Sequence, residues 1–293
     1  MDDYFTNTTS QDKSFGYDNI TASFYISNSN PGSYVGVVTC VIISVSLPLT
    51  LAALYAVYFL VQKDNVVPIY VINLLISDII QLCCMIVSVA VTESTKTFKV
   101  FFYIYHFGLL TSVCFMVFIA LERYLVIACP LWYRFRRTIK ISVVVCVVVW
   151  AFALVYLLSV YFSYSSDFSG AELVFDVFFL VPFPLLIFFL GGTLRALSAG
   201  NRIPSDEKRR IVALVVLVLL IYTLLFLPTI IWSLADKATA KDLLSELSAT
   251  FVQMSPLADS FLYVFLRKGA ADKLLISLCC CRMNSNDIGT VAV

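Results

Sequence analysis

The amino-acid sequence predicts an all-α fold: a seven-transmembrane helix bundle with the N-terminus outside and a short amphipathic eighth helix on the cytoplasmic side. Three observations carry this. Of 293 residues, 60% are hydrophobic and 13% charged, a composition that suits a polytopic membrane protein and not a soluble domain. Seven apolar segments, at 34–62, 66–92, 98–128, 139–163, 172–198, 209–235 and 243–266, each reach the ~20 residues needed to cross ~30 Å of hydrocarbon. With the N-terminus outside, 15 of the 20 Lys and Arg residues fall in cytoplasmic segments, leaving Lys13, Lys96, Lys99, Lys237 and Lys241 outside. Basic residues accumulate on the cytoplasmic face, so this asymmetry sets the orientation. The chain divides into an extracellular tail (1–33), the bundle (34–267), an interfacial helix (268–281) and a cytoplasmic tail (282–293).

The tail is polar and carries two glycosylation acceptor patterns, at Asn7 (Asn7-Thr8-Thr9) and Asn19 (Asn19-Ile20-Thr21). No basic stretch with a short apolar run precedes them, so the expectation is that the first span serves as signal anchor and no leader is cleaved. Span one contains Pro48, which frees a backbone carbonyl and predicts a kink. Span two places Asp78 deep in an apolar helix after Asn73-Leu74-Leu75-Ile76-Ser77, and an intramembrane carboxylate marks a functional site by default.

Span three carries Tyr103, Tyr105 and His106 near its outer end, Ser112 midway and Glu122-Arg123-Tyr124 at its inner end. A Glu–Arg pair at a bilayer edge is costly unless satisfied and more often marks function than packing. His106 is the one histidine, and a lone histidine is more often a packing residue than a sensor or ligand; zinc would want several further donors. Span four has Trp150, and span five opens with Glu172 and Asp176 before Pro182 and Pro184. Asp176 either lines an outward-facing cavity or caps the helix at the water interface. Span six rises from a basic foot, Lys208-Arg209-Arg210, to Tyr222, Phe226 and Pro228, where a bend is a candidate moving part. Span seven holds Ser255, a second deep carboxylate at Asp259, and Tyr263.

Of nine cysteines, none falls in an extracellular loop, so no extracellular disulfide is expected. Cys279, Cys280 and Cys281 follow the interfacial helix and are candidates for palmitoylation. No glycine-rich phosphate loop, HExxH, nucleophile elbow or metal cluster occurs, so enzymatic chemistry has nothing to stand on.

Together these residues resemble the class A, rhodopsin-like G-protein-coupled receptors over about 34–281. The carriers are Asn73 to Asp78, Glu122-Arg123-Tyr124 with Pro130-Leu131, Trp150, a span-five proline, Phe226-Leu227-Pro228 and Asp259-Ser260-Phe261-Leu262-Tyr263. The resemblance implies that Glu122 neutralises Arg123 at rest and that Arg123, Tyr124, Leu131 and Arg134 meet a heterotrimeric G protein. It implies an activation switch at Phe226, Pro228 and Tyr263, and an allosteric sodium ion held by Asp78, Ser112, Ser255 and Asp259, with no other cofactor or metal. The candidate ligand pocket comprises Tyr105, His106, Asp176 and Gln253.

Several positions depart from the family pattern. Thr50 replaces its first-span asparagine, Ser260 its span-seven proline and Gly192 its span-five tyrosine, and Phe98 stands where a disulfide cysteine opens span three. Tyr105 in place of an aspartate argues against a biogenic amine, and Gln253 in place of a lysine argues against retinal. A peptide, lipid or other small molecule remains as ligand; membrane lipid is a partner and nucleic acid is not. Pro130 to Arg134 and the missing extracellular cysteines look like the Mas-related branch, while Ser46 to Leu49 and Asp206 to Arg210 look like nucleotide-, lipid- or proton-sensing relatives. The expected function is a plasma-membrane receptor that transduces an extracellular ligand into G-protein activation. The alternatives are a receptor-shaped scaffold or decoy that does not signal, and a cation transporter or channel.

Overall fold

The computed structural model describes residues 34–64, 69–90, 95–129, 139–165, 178–199, 205–234 and 241–266. Among the described residues every regular element is an α-helix: α1 (Tyr34–Asp64), α2 (Ile69–Ala90), α3 (Thr95–Ala128), α4 (Ile139–Ser165), α5 (Pro182–Ala199), α6 (Ser205–Leu234), α7 (Lys241–Gln253) and α8 (Ser255–Leu266). Helices dominate because a chain crossing hydrocarbon must satisfy its backbone internally. The segments α1 to α4, 178–198 and α6 are each long and apolar enough to span. Pro48 and Pro228 sit inside continuous helices.

The seventh span differs from the single helix expected over 243–266. It is two helices, α7 and α8, parted by a turn at Met254. Pro256 is the physical reason, since it has no N–H to direct at the carbonyl four residues back. The Met254 N–H is shared between the Thr250 and Phe251 carbonyls at 3.2 and 3.1 Å, and helical bonding resumes with Ala258 donating to Met254 at 3.0 Å.

The α3 helix is the axis of the bundle, packed against α2, α4, α5 and α6. Its Leu109, Leu110, Val113, Phe115, Met116, Ile119 and Ala120 are all buried. By contrast α4 exposes Val144, Val147, Val148 and Val155, apolar side chains suited to lipid. With little hydrophobic force between helices in lipid, packing and hydrogen bonds hold the bundle together. Trp150 Nε1 donates to Asn73 Oδ1 at 2.9 Å, and Asn73 Nδ2 donates to the Ile69 carbonyl at 2.9 Å, which ties α4 to α2. Gly108 lets α2 approach closely: a Cβ there would stand 3.0 Å from Gln81 Cγ and 3.2 Å from the Ser77 carbonyl.

The predicted sites at Asn7, Asn19, Leu131, Arg134, Asp176, Cys279, Cys280 and Cys281 lie outside the described residues, as does the interfacial helix.

Candidate functional site

The remaining candidate residues fall in three layers along the bundle. In the outer layer, the Tyr105 hydroxyl on α3 donates to the Val252 carbonyl at 3.1 Å. This carbonyl lies four residues before Pro256 and is the one that an uninterrupted helix would bond through residue 256. A tyrosine from the central helix thus supplies a donor where the proline removes one. Gln253, next in the chain, accepts a hydrogen bond from Thr39 on α1 at 2.8 Å through Oε1. Both Tyr105 and Gln253 are buried, so their polar groups stitch α1, α3 and α7 together. The half-buried His106 places Nδ1 2.9 Å from the Phe102 carbonyl, which makes that nitrogen the donor, and its ring packs against Phe102 at 3.9 Å.

The middle layer is polar and sealed. Asp78, Ser112, Ser255 and Asp259 are each 0% exposed. The Asp78 carboxyl on α2 feels the charge of Asp259 on α8, so the structure brings together two acidic groups that lie far apart in the sequence. The two carboxyls lie within hydrogen-bonding reach of each other and Ser255 within reach of Asp259, but no other donor among the described residues reaches these oxygens. The Ser112 hydroxyl donates to the Leu109 carbonyl at 3.0 Å, leaving its lone pairs as acceptors. Buried polar atoms without partners are expensive and call for an ion, a water or a proton. Hard carboxylate and hydroxyl oxygens fit a small cation such as sodium. Gln81, one turn outward of Asp78, is also buried, with Oε1 lacking a hydrogen-bond partner among the described residues. A glutamine three residues after an intramembrane aspartate was the sequence signal for it.

Beside this layer, Phe226 on α6 stacks between Tyr222, at 4.7 Å, and Phe179, at 5.2 Å. The Tyr222 hydroxyl donates to the Phe179 carbonyl next to the irregular turn at Val181. Tyr222 was foreshadowed by its place one helical turn before Phe226. Tyr263 is buried, and Pro228, two residues beyond Phe226, is partly buried.

At the inner end, Arg123 and Glu122 form a loose pair, 3.8 Å apart, with the arginine side chain 32% exposed and its Nε without a hydrogen-bond partner among the described residues. Such a geometry gives a weak bond that is easily exchanged. The Tyr124 ring packs on α5 against Phe188 and Phe189 at 6.1 and 5.9 Å.

Two of the departures meet each other. Thr50 Oγ1 on α1 lies 3.0 Å from Ser260 Oγ on α8, both buried. Ser260 Oγ also donates to the Pro256 carbonyl at 2.9 Å, so its single proton is committed and Thr50 is the donor between the hydroxyls.

Comparison with known proteins agrees with this architecture. The model of a seven-transmembrane receptor family, the rhodopsin family, matches residues 50–174. The chain is 26% identical to G-protein coupled receptor 68 of Homo sapiens over 239 residues, covering 72% of this chain and 65% of that protein. It is 28% identical to Mas-related G-protein coupled receptor member A6 of Mus musculus over 197 residues, covering 60% and 63%. Over 115 residues it is 31% identical to Mas-related member A7 of Mus musculus, covering 37% of each. The chain therefore spans just under two thirds of the length of the first two relatives. The matched family segment, the similarity to Mas-related and other G-protein coupled receptors, and the ordered motifs on a bundle of membrane-spanning helices lead to one conclusion: the chain is similar to the rhodopsin-like family of seven-transmembrane receptors and is a multi-pass protein of the plasma membrane.

Proposed function

We propose that this protein is a cell-surface receptor that transmits the binding of an extracellular ligand to a heterotrimeric G protein. The observation that carries the proposal is the inner end of α3, where Arg123 and Glu122 form a loose ion pair at 3.8 Å. An arginine held this weakly can be exchanged to a partner at small cost, whereas a tight bidentate pair could not. The names of the relatives, all G-protein coupled receptors, support the same partner.

The route from ligand to partner follows from the layers. A ligand seated against the outer ends of α3 and α7 would strain the Tyr105–Val252 and Thr39–Gln253 bonds, which fix the position of the α7–α8 break. The break lies directly above Asp259, which faces Asp78. Phe226, stacked between Tyr222 and Phe179, would pass a shift of the core to Pro228 and so to the angle of α6. Bound at Asp78, Asp259, Ser112 and Ser255, a sodium ion would compensate the two carboxylates and hold α2, α3 and α8 together in the resting arrangement. The neutral residues Tyr105 and Gln253 remain poor partners for an amine or a retinal Schiff base.

The test is Arg123→Ala in the full chain, with surface expression normalised and nucleotide exchange on G proteins measured with fractionated peptides and lipids as agonists. Lost exchange with retained expression supports the proposal; unchanged exchange refutes it. The scaffold reading drew on Thr50, Ser260 and Gly192, and the 3.0 Å contact between Thr50 and Ser260 weakens it, because these two form a working interhelical link.

A further inference from the structure

The inner ends of α3 and α5 meet in a way that requires a glycine. A Cβ built on Gly192 would stand 2.6 Å from Cε2 of Tyr124, 3.2 Å from Cδ2 and 3.3 Å from Cζ. Carbon atoms pack at about 3.5–4.0 Å, so the Tyr124 ring lies directly on the α5 backbone in space that any other residue would fill. Phe189 stacks on the ring at an interplanar angle of 30° and Phe188 flanks it at 60°, so two aromatic side chains of α5 restrict its movement. On α6, Leu214, Val215 and Val218 are buried, so the ring and the glycine are engaged in an arrangement in which this part of α6 is packed.

We infer that Tyr124 is a positioning residue, a latch whose ring, received by Gly192, clamps α3 to α5 in the closed form and must leave its slot when the cytoplasmic face opens. The inference rests on the coupling proposal above. It turns the missing span-five tyrosine into half of a fitted pair: the aromatic ring between the two helices comes from α3, and α5 contributes the room. Because Tyr124 follows Arg123 directly, the latch also sets where the guanidinium stands. Packing carries the contact, so the ring matters and the hydroxyl does not.

The experiment uses the full chain with Tyr124→Phe, Tyr124→Ala, Gly192→Ala and the double variant Tyr124→Ala/Gly192→Ala. Basal G-protein nucleotide exchange is measured in membranes, and the thermal unfolding midpoint in detergent. Gly192→Ala and Tyr124→Ala are expected to raise basal exchange per surface receptor by roughly 5-fold, the size of shift that loss of one good packing contact produces. Tyr124→Phe is expected to keep the parent's unfolding midpoint, because the ring remains, and the double variant to match Tyr124→Ala, since the ring that alanine would meet is gone. Unchanged or lowered basal exchange in Gly192→Ala, equal effects of Tyr124→Phe and Tyr124→Ala, or additive effects in the double variant would each overturn the latch. Should Gly192→Ala fail to reach the surface, the double variant decides, because recovery of expression supports the contact and continued failure refutes it. Where the parent and every variant lack exchange, the coupling proposal falls and the latch as an opening device falls with it; non-additive unfolding midpoints then uphold only the contact. With exchange intact, additive midpoints overturn the latch alone.

Discussion

Replacing Tyr105 with phenylalanine removes a single oxygen and leaves the ring in place, so it isolates the hydrogen bond from Tyr105 to the Val252 carbonyl, 3.1 Å long. A neutral bond of this kind is worth about 1 kcal/mol net, membrane proteins average about 0.6, and a buried acceptor left without a donor costs about 1–3. Val252 belongs within that span and above the membrane average, because Pro256 brings no N–H to the position four residues later. We expect Tyr105→Phe to destabilise the protein by about 1.5 kcal/mol. The decisive comparison is with Pro256→Ala, which restores the missing N–H and lets α7 and α8 join as one helix. In that background the hydroxyl is redundant, and Tyr105→Phe should cost less than about 0.5 kcal/mol. Denaturant unfolding in detergent micelles, followed by the fluorescence of the three tryptophans, would read all four corners of the cycle. Equal costs of Tyr105→Phe with proline and with alanine at 256 would refute the reasoning, since the tyrosine would then not be covering for the proline.

Three further outcomes follow from other contacts. Thr50→Val and Ser260→Ala should each destabilise by about 0.5–1 kcal/mol and combine non-additively, because each removes the same Thr50 to Ser260 bond; additive unfolding free energies would count against a shared bond. Trp150→Phe should lose about 1 kcal/mol through the bond to Asn73 while Asn73 keeps its contact to Ile69, so a further Asn73→Ala should still destabilise the Trp150→Phe protein. The unfolding midpoint should rise when sodium chloride replaces an organic-cation chloride at equal ionic strength, and Asp78→Asn should abolish the rise. A midpoint indifferent to sodium in the parent protein would remove the ion from Asp78 and Asp259.

Much of the fold was legible because the bilayer imposes strong rules on composition. A run of ~20 apolar residues can hardly be anything but a span, and the Lys and Arg asymmetry fixes orientation without reference to packing. Single residues at intramembrane positions were legible for the same reason: a carboxylate such as Asp78 or Asp259 stands out against an apolar background. The break in the seventh span was less so. Proline in a membrane helix leaves two outcomes open, and Pro48 and Pro228 lie within continuous helices whereas Pro256 follows a turn.

What the sequence by itself determined is the set of membrane helices, their orientation, and the acidic, basic and proline residues that they carry, since each of these depends on local composition read against the thickness of a membrane. Tertiary structure alone decided what those residues do to one another. Thr50 and Ser260 read separately as losses from the family pattern, and only the approach of α1 to α8 makes them one hydrogen bond. Gly192 read as a missing side chain until α3 laid the ring of Tyr124 on it. Tyr105 read as a candidate pocket residue, and only the α7–α8 break pairs its hydroxyl with a carbonyl. The reason is the same in each case: a hydrogen bond or a ring contact depends on distances between helices far apart in the chain, and residue type alone does not encode those distances.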